Sequence, residues 1–445
     1  MEGSALDWST AAATFDPTTP AGGKVGLERH LTEVRMHILV INPGSSSIKF
    51  SMFGEDAGGL RPLYEGEFSG IGEISAALEF HDAAGKDLGA EASAVKGSSM
   101  EDAIGTVEQD VGLKGLPPPD AVGYRVVHPG PNLRGHQLLT PAVLAELHKT
   151  VAYAPLHNPE ALEVIDEMMR RFAEVPHFAC FDTVFHETMP EEATVYPLPA
   201  EVRAQGVRRY GFHGLSCESI VAQLGKAAGF AFPRRMAIAH LGSGCSVTAC
   251  VDGKSVDTTM GLTPMGGVVM GTRPGDIDPG LVIFLMRQAG ATVDSVEEML
   301  NRHSGIKVLG GVNDMRELRR REAAGDAQAR LAIRIFSNSV VKAMAGFVAL
   351  HGADALVFTG GIGEHDAASR AEIAGGLAGL GVELDPAANE IEQVESGQSG
   401  ERVRKISDED SPVAVYVAPA QEDLMIARHV AEMCQGSPAS EGKSS

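Results

Sequence analysis

The stretch His37–Asn42 reads HILVIN, continues as PGSSS over residues 43–47, and runs into IKFSMF over residues 48–53. A branched apolar run, a small polar turn and a second apolar alternation are typical of a β-hairpin. The pattern returns at Met236–Leu241, which reads MAIAHL and precedes GSGC over residues 242–245. The repetition predicts two similar domains, each offering a Gly/Ser turn whose backbone N–H groups face a bound anion.

A third strand with a glycine-rich continuation follows later in the chain. Asp354–Phe358 reads DALVF and leads into TGGIGEH over residues 359–365. This is neither a G-x-G-x-x-G loop nor a G-x-x-x-x-G-K-[ST] loop, so the Rossmann and Walker interpretations fail. Helix-start signals stand between the strands, at Thr140-Pro141, Asn158-Pro159, Asp278-Pro279 and Asp326. Interleaved strands and helices predict an α/β protein.

Composition limits the possible partners. The chain has 445 residues, enough for two or three domains, and a formal net charge of −22. That charge argues against a nucleic-acid partner, and the absence of a run of about 18 apolar residues argues against a membrane partner. An anionic substrate would therefore need local basic residues. The cysteines are expected to be buried thiols in a reducing cytosol, and they are Cys180, Cys217, Cys245, Cys250 and Cys434.

Both ends of the chain differ from the middle. Residues 1–35 are rich in Ala, Thr, Pro and Gly without a sustained period, and we expect a disordered extension there. Met36 is an alternative natural start, since the folded pattern begins at His37. Residues 435–445 are expected to form a second disordered tail.

Nine motifs, taken together, resemble the acetate kinase family, within the superfamily of actin-like, sugar-kinase-like and Hsp70-like ATPases. The resemblance runs from Met36 to about Met433. The motifs are INPGSSSIKF from Ile41, YRVVHPG from Tyr124, APLHNP from Ala154, FDTVFHETMP from Phe181, RRYGFHG from Arg208, HLGSGCS from His240, DTTMGLTPMGGVVMGTRPGDIDP from Asp257, FTGGIGE from Phe358 and QEDLMIAR from Gln421.

The resemblance implies a fold, a reaction and partners. The fold would be two duplicated actin-like, ribonuclease H-like domains around a cleft, one spanning 36–186 and completed by 421–434, the other spanning 187–420. The reaction would be reversible transfer of the ATP γ-phosphoryl group to acetate, with Mg²⁺ or else Mn²⁺, giving acetyl phosphate and ADP. A cytoplasmic homodimer is implied as well.

The expected catalytic residues follow from the chemistry of the acceptor. Acetate is ionised at neutral pH, so it needs no general base but does need charge compensation as it approaches a triphosphate. The resemblance implies that Arg125 holds the acetate carboxylate and Arg273 the phosphoryl group in transfer. It implies that His213 stabilises the transition state, and that Asp182 either holds Mg²⁺ or orients an arginine. His157 would lie nearby.

The remaining expected contacts also rest on the resemblance. Asn42 and Glu422 would hold the metal. A small apolar pocket would take the acetate methyl group, lined by Val127, Leu156, Phe212 and Pro264. The nucleotide would contact Ser45, Ser47, Lys49, His240, Leu241, Gly242, Ser243, Gly244, Asp314, Met315, Arg316, Gly361, Ile362, Gly363, Glu364 and His365.

Three alternatives stay open at this point. The acid could be propionate or butyrate, although Val127 leaves little room for the longer chain. The protein could bind ATP as a conformational switch, or it could phosphorylate a sugar. In addition, Ser243 stands where the family usually has asparagine, which leaves the identity of the phosphoryl donor open.

Overall fold

The computed structural model describes residues 34–44, 47–71, 77–87, 117–154, 158–227, 231–288, 290–391 and 403–436. Several predicted features lie outside these ranges, namely Ser45, Leu156, His157, nearly all of the 1–35 extension and residues 437–445. Ordered structure reaches slightly beyond the predicted limits. Arg35 already donates its backbone N–H to Glu55, and the last helix runs to Gly436, inside the predicted 435–445 tail.

The N-terminal half is built on a seven-stranded sheet with the order β4-β3-β2-β1-β5-β7-β6. The predicted hairpin forms β1 and β2, whose residues Asn42 and Lys49 face each other in register. β5 runs parallel to β1, and β7 runs parallel to β5. The strands are β1 (Met36–Pro43), β2 (Ser47–Asp56), β3 (Gly59–Ser69), β4 (Ala77–Asp82), β5 (Ala121–Val126), β6 (Gln137–Leu138) and β7 (His177–Phe181).

The C-terminal half is built on a six-stranded sheet with the order β10-β9-β8-β11-β13-β12. The second predicted hairpin forms β8 and β9, and the turn at residues 252–253 leads into β10. β11 lies parallel to both β8 and β13. The strands are β8 (Arg235–Leu241), β9 (Cys245–Val251), β10 (Lys254–Thr258), β11 (Ala355–Thr359), β12 (Arg404–Lys405) and β13 (Ala414–Val417).

The two sheets share one topology. The run β3-β2-β1-β5-β7 has the same order and directions as β10-β9-β8-β11-β13, with an antiparallel meander followed by two parallel strands. The duplication predicted from two similar hairpins is therefore confirmed over five strands of each sheet. The carboxyl ends of parallel strands in such sheets are where ligands bind.

Helices cover the sheets, and four of them begin where the sequence signals predicted. Thr140 and Asp326 accept backbone N–H groups as N-caps. The helices are α1 (Pro141–Leu147), α2 (Asn158–Arg171), α3 (Glu191–Thr194), α4 (Ala200–Arg203), α5 (Gly214–Leu224), α6 (Pro279–Gln288), α7 (Val293–Arg302), α8 (Gly305–Gly310), α9 (Met315–Ala323), α10 (Ala327–His351), α11 (Gly360–His365), α12 (Ala367–Gly376), α13 (Pro386–Glu390) and α14 (Glu422–Gly436); 3₁₀ turns span His148–Tyr153, Val184–Thr188 and Ala378–Leu380.

The C-terminal helix returns to the first sheet. α14 buries Ile426 and Val430 against β5, and a methyl group added at Gly123 would lie 2.7 Å from a methyl carbon of each. Only glycine at position 123 allows the helix to approach this closely. As a result, Glu422 at the start of α14 is fixed beside the carboxyl ends of β1 and β5.

One helix, α10, is long and apolar enough to cross a membrane by length and composition alone. Its residues Phe336, Val340 and Met344 are fully buried in the core of the C-terminal half. Such burial is what a core helix shows, and the helix lies over β8 and β9.

Candidate active site

Arg125 is held by a carboxylate on the neighbouring strand. It lies near the end of β5, and Asp182 follows β7 directly. The Arg125 Nε atom donates to Asp182 Oδ1 at 3.0 Å, and Nη2 donates to Oδ2 at 2.7 Å. Asp182 is only 1% exposed. This bidentate geometry fixes the plane of the guanidinium, so the observed pair favours an orienting role for Asp182.

The remaining nitrogen of Arg125 faces the two expected metal ligands. Nη1 lies 3.5 Å from Asn42 Oδ1 and 3.5 Å from Glu422 Oε2. Burial, the largest single effect, disfavours the charge of Arg125. Even so, the carboxylates of Asp182, Glu422 and Asp423 raise its pKa above the ordinary value. The guanidinium therefore stays charged inside the protein.

The Glu422 carboxylate has an unmet oxygen. Its Oε1 atom is buried and has no hydrogen-bond partner among the described residues. A buried acceptor without a partner is costly unless a ligand supplies one. An amide oxygen and a carboxylate beside the same guanidinium form a donor set that suits a hard divalent cation such as Mg²⁺. The residues present therefore fit a metal ion at Asn42 and Glu422.

Asp423, the next residue, is not among the predicted site residues, although it belongs to the motif QEDLMIAR. Its Oδ2 atom accepts the Ser51 hydroxyl at 2.6 Å, and burial raises the pKa of its carboxyl group. Ser51 belongs to β2, two residues beyond Lys49 and on the same face of the strand. Asp423 thus fastens the start of α14 to the first hairpin.

Two histidines stack beside the second hairpin. The His213 and His240 ring centroids lie 4.1 Å apart with an interplanar angle of 20°. His213 Nδ1 lies 2.9 Å from Ser246 Oγ, and His240 Nδ1 lies 2.8 Å from Ser216 Oγ. Burial first, then nearby positive charge, lowers the pKa of both rings, that of His240 to about 4. Both rings are therefore neutral at pH 7.

The backbone at His213 is left-handed, with φ of 57°. Such a conformation is uncommon for a residue with a side chain and is often found at functional sites. It turns the chain into α5 and leaves the ring against the β8–β9 turn. The Ser246 hydroxyl can donate to Nδ1, which leaves a proton on Nε2 for donation into the site.

His213 and Arg273 converge on the β8–β9 turn. A methyl group added at Gly244 would lie 3.3 Å from His213 Nε2 and 3.7 Å from Arg273 Nη1. Arg273 Nη1 also donates to the Pro264 carbonyl at 2.8 Å, and burial lowers the pKa of Arg273. One proton donor and one guanidinium thus meet over a glycine, where an oxyanion could approach the backbone.

The turn itself is stiff. Gly242 donates its N–H to the Gly244 carbonyl at 3.0 Å, and Gly271 donates its N–H to the Ser243 carbonyl at 3.1 Å. Ser243 is exposed, whereas the Leu241 side chain is fully buried in the core. Any nucleotide contact by Leu241 must therefore come from its backbone.

The segment predicted as a glycine-rich loop around Gly361 is a short helix, α11. It starts beside the β8–β9 turn, because Thr359 lies in register with His240. Glu364 Oε1 accepts the N–H groups of Gly360 at 2.9 Å and Ala420 at 3.0 Å. Its carboxylate therefore connects α11 to the segment that leads into Glu422, a contact that the implied nucleotide-binding role does not include.

The other residues expected to contact the nucleotide differ in exposure, and some of them are buried. Asp314 caps its own helix, α9, and pairs with Arg316 at 2.9 Å. The Arg316 side chain is 90% exposed, while Met315 is buried in the core. Like Leu241, Met315 can offer only backbone atoms. Ile362 is partly buried against the same core, Gly363 is buried and His365 is exposed.

The first hairpin contributes Lys49, whose side chain is 59% exposed and whose Nζ lies 3.7 Å from Glu67. Ser47 closes the preceding turn, where its carbonyl accepts the Gly44 N–H at 2.7 Å. Asn42, Lys49, His240, Gly361 and Glu422 all line one cleft of about 1460 Å³. The cleft therefore joins residues from both hairpins and both ends of the chain.

The expected acid pocket is only partly described. Phe212 is fully buried, and Val127 packs against the same apolar cluster. Pro264 lies beside Arg273, whose Nη1 atom donates to the Pro264 carbonyl. Leu156 and His157, the other expected members, lie outside the described residues.

A separate group has the spacing of metal ligands, formed by His136, Glu218 and His429. His136 Nδ1 accepts the Phe181 N–H at 3.1 Å, so the neutral ring carries its proton on Nε2. Neither ring nitrogen of His136 then offers a free lone pair. This group therefore fits a metal ion less well than Asn42 and Glu422 do.

Comparisons with known proteins show which family the chain belongs to. The model of the "Acetokinase family" matches residues 37–428. The chain is similar to the acetate kinase of Nitrobacter hamburgensis, at 42% identity over 88% of this chain and 95% of that one. It is also similar to the acetate kinase of Micrococcus luteus, at 40% identity over 90% and 100% of the two chains.

Two solved structures are similar as well. One is a propionate kinase from Francisella tularensis subsp. tularensis, with a TM-score of 0.79 and 35% identity over 89% of this chain and 99% of that one. The other is the acetate kinase of Porphyromonas gingivalis, with a TM-score of 0.76 and 30% identity over 90% and 100%.

Proposed function

Since the chain belongs to the acetokinase family and is an acetate kinase, we propose that it transfers the γ-phosphoryl group between ATP and acetate at the site built by Arg125, Arg273 and His213. The observation that carries the assignment is the meeting of His213 Nε2 and Arg273 Nη1 over Gly244. Both groups come from the C-terminal half, while Arg125 comes from the N-terminal half, so the transfer would occur between them.

The mechanism follows from charge. The acetate carboxylate is already ionised, and it approaches a phosphoryl group that carries negative oxygens. Arg125, oriented by Asp182, would hold the carboxylate in line. Arg273 and the Nε2 proton of His213 would contact the phosphoryl oxygens, where charge spreads in the transition state. No residue needs to act as a general base.

A divalent metal is generally needed by ATP-dependent kinases, and we assign Mg²⁺, or else Mn²⁺, to Asn42 and Glu422. When bound, the ion would neutralise charge on the nucleotide phosphates. The unpartnered Oε1 atom of Glu422 supports this position.

We expect Glu422→Gln to raise the Mg²⁺ concentration needed for half-maximal activity by at least about tenfold, by analogy with losses at metal-site residues. The amide keeps the shape of the side chain but removes its charge. Activity titrated against Mg²⁺ measures the effect, with Glu432→Gln on an exposed turn of the same helix as the matched control. An unchanged requirement would place the metal elsewhere.

The similarity to acetate kinases favours acetate over longer acids, and the similar propionate kinase structure makes propionate the specific rival. One methylene in an apolar pocket changes binding by about 1–3 kcal/mol. We therefore expect kcat/KM to fall from acetate to propionate and again to butyrate. Rates with the three acids test this order, and a preference for butyrate would overturn it.

We also propose a homodimer formed through α6. This helix exposes Leu281, Ile283, Phe284 and Met286, of which Phe284 is 56% exposed. A cluster of exposed apolar side chains on one short helix marks a candidate interface. We expect Phe284→Glu to halve the mass measured by light scattering during size exclusion, whereas Val308→Glu, at an exposed position on α8, serves as a control. A wild-type monomer would contradict the proposal.

We propose the cytoplasm as the location. Five free cysteines, four of them buried, support a reducing compartment. Cell fractionation with an antibody against the chain tests it, and recovery outside the soluble cytoplasmic fraction would contradict it.

A further inference from the structure

A second pocket, distinct from the cleft, lies where the two halves of the chain meet. It is an open pocket of about 380 Å³, at which Arg134 and Arg203 are exposed, and it shares no lining residue with the cleft that holds Lys49 and Glu422. The loop after β5 supplies one wall, with Pro131 and Arg134. The segment that precedes α5 supplies the other wall, with Arg203, Arg208 and Tyr210.

The pocket is positively charged, although the chain as a whole is negatively charged. Three guanidiniums and one carboxylate line it, whereas the whole chain has 37 basic and 59 acidic residues. Glu187 pairs with Arg208 at 3.0 Å. The Arg203 Nε–H group donates to the Leu198 carbonyl at 3.0 Å. This bond occupies one of the five N–H donors of the guanidinium. The pocket therefore keeps an excess of about two positive charges.

Two of the three arginines interact with the Tyr210 side chain. Arg208 lies over the Tyr210 ring, 5.0 Å from its centroid. The Tyr210 hydroxyl, whose pKa burial raises to about 12, also senses the positive charges of Arg208 and Arg134. Tyr210 is therefore close enough to both arginines for their charges to affect its hydroxyl group.

We propose that this pocket binds a small multivalent anion, either a phosphoryl-type oxyanion or a dicarboxylate, and that the bound anion adjusts the acid pocket. Planar guanidiniums match both kinds of ligand, because each presents paired oxygens to the N–H fork. The volume of about 380 Å³ lies at the lower end of the range of about 300–1,000 Å³ for drug-sized ligand pockets, so a small anion fits within it.

The pocket is connected to the acid site through packed rings. Tyr210 lies 4.5 Å from the His128 ring, and His128 lies 5.6 Å from Phe212, with each distance taken between centroids. His128 also follows Val127 directly. At the pocket floor the halves touch, because a methyl group added at Gly206 would lie 2.8 Å from Pro131 Cβ. An anion that bridges both walls would therefore bias their separation.

Equilibrium dialysis of the full chain tests the binding directly, with radiolabelled sulfate and radiolabelled succinate as probes at constant ionic strength. We expect a binding event that Arg134→Ala and Arg203→Ala each weaken at least tenfold. Arg273→Ala in the catalytic site and Arg234→Ala, an exposed arginine elsewhere, should leave it unchanged. Binding of sulfate alone assigns the phosphoryl class, binding of succinate alone assigns the dicarboxylate class, and binding of both assigns the shared chemistry.

Steady-state kinetics test whether anion binding in this pocket affects the acid site. The anion that binds should change the acetate KM at least twofold, relative to chloride at equal ionic strength, and Arg134→Ala should abolish the change while keeping basal activity. The proposal is overturned if neither probe binds, if Arg134→Ala binds like the wild type, or if Arg273→Ala removes the binding. The dialysis arm needs no catalysis, so its failure is distinguishable from failure of the kinase assignment.

Discussion

Replacing Arg273 by alanine should lower kcat about 100- to 1,000-fold, the loss typical of removing a donor aimed at transition-state charge. Arg273 Nη1 lies over Gly244 beside His213 Nε2, where oxyanion charge would develop. The acetate KM should rise far less, because Arg125 and not Arg273 would hold the ground-state carboxylate. Steady-state rates against acetate at saturating ATP measure both constants.

The control for this variant is Arg273→Lys, which keeps the charge but loses the planar fork. We expect it to recover only part of the rate. A large rise in acetate KM with kcat unchanged would move Arg273 to ground-state binding and contradict the assigned role.

Replacing Asp182 by asparagine should both destabilise the protein and disable it. Asp182 is buried and makes two charge-assisted bonds to Arg125. Removing one partner of a buried ion pair typically costs about 3–5 kcal/mol of unfolding free energy. The freed guanidinium would also lose its fixed orientation, so kcat/KM for acetate should fall at least about 100-fold.

Urea unfolding and acetate kinetics measure the two effects of Asp182→Asn. Asp410→Asn, at an exposed carboxylate in the turn before β13, is a matched control that should change neither. If Asp182→Asn lost activity but kept its stability and its acetate KM, an orienting role through Arg125 would be contradicted, and a direct role for the carboxylate would replace it.

Much of the fold can be predicted from the sequence because the signals for its hairpins and helix starts are local. The hairpin at His37–Phe53 combines an apolar alternation with a small turn, and its copy at residues 236–251 follows the same rule. Helix starts such as Thr140-Pro141 and Asp326 are also local, since each cap bonds within its own first turn. These features were confirmed.

The site depends on long-range contacts, which explains what sequence reasoning missed. Arg125 and Asp182 are 57 residues apart, and Ser51 and Asp423 are 372 residues apart. Only the fold brings such partners together. The role of Ser246 under His213 is of the same kind, although the motif that begins at His240 contains it.

Burial and local hydrogen bonds explain two further differences between the predicted and the observed structure. Leu241 and Met315 sit in motifs that resemble nucleotide-binding stretches, yet their side chains pack in the core. Glycines at residues 360–363 suggested an irregular loop, because glycine weakens helices. The segment forms a helix because Glu364 accepts the Gly360 N–H and Arg370 donates to the carbonyls of Gly363 and Glu364.

The most direct test of the central claim is formation of an acyl phosphate. The purified full chain would be incubated with Mg²⁺, acetate and either ATP or pyrophosphate, and the product trapped with hydroxylamine. We predict hydroxamate from ATP, lost in Arg273→Ala, which would also show that Ser243 is compatible with ATP as the donor. Product from pyrophosphate alone would contradict the nucleotide assignment, and no product from either donor would contradict transfer to acetate at this site.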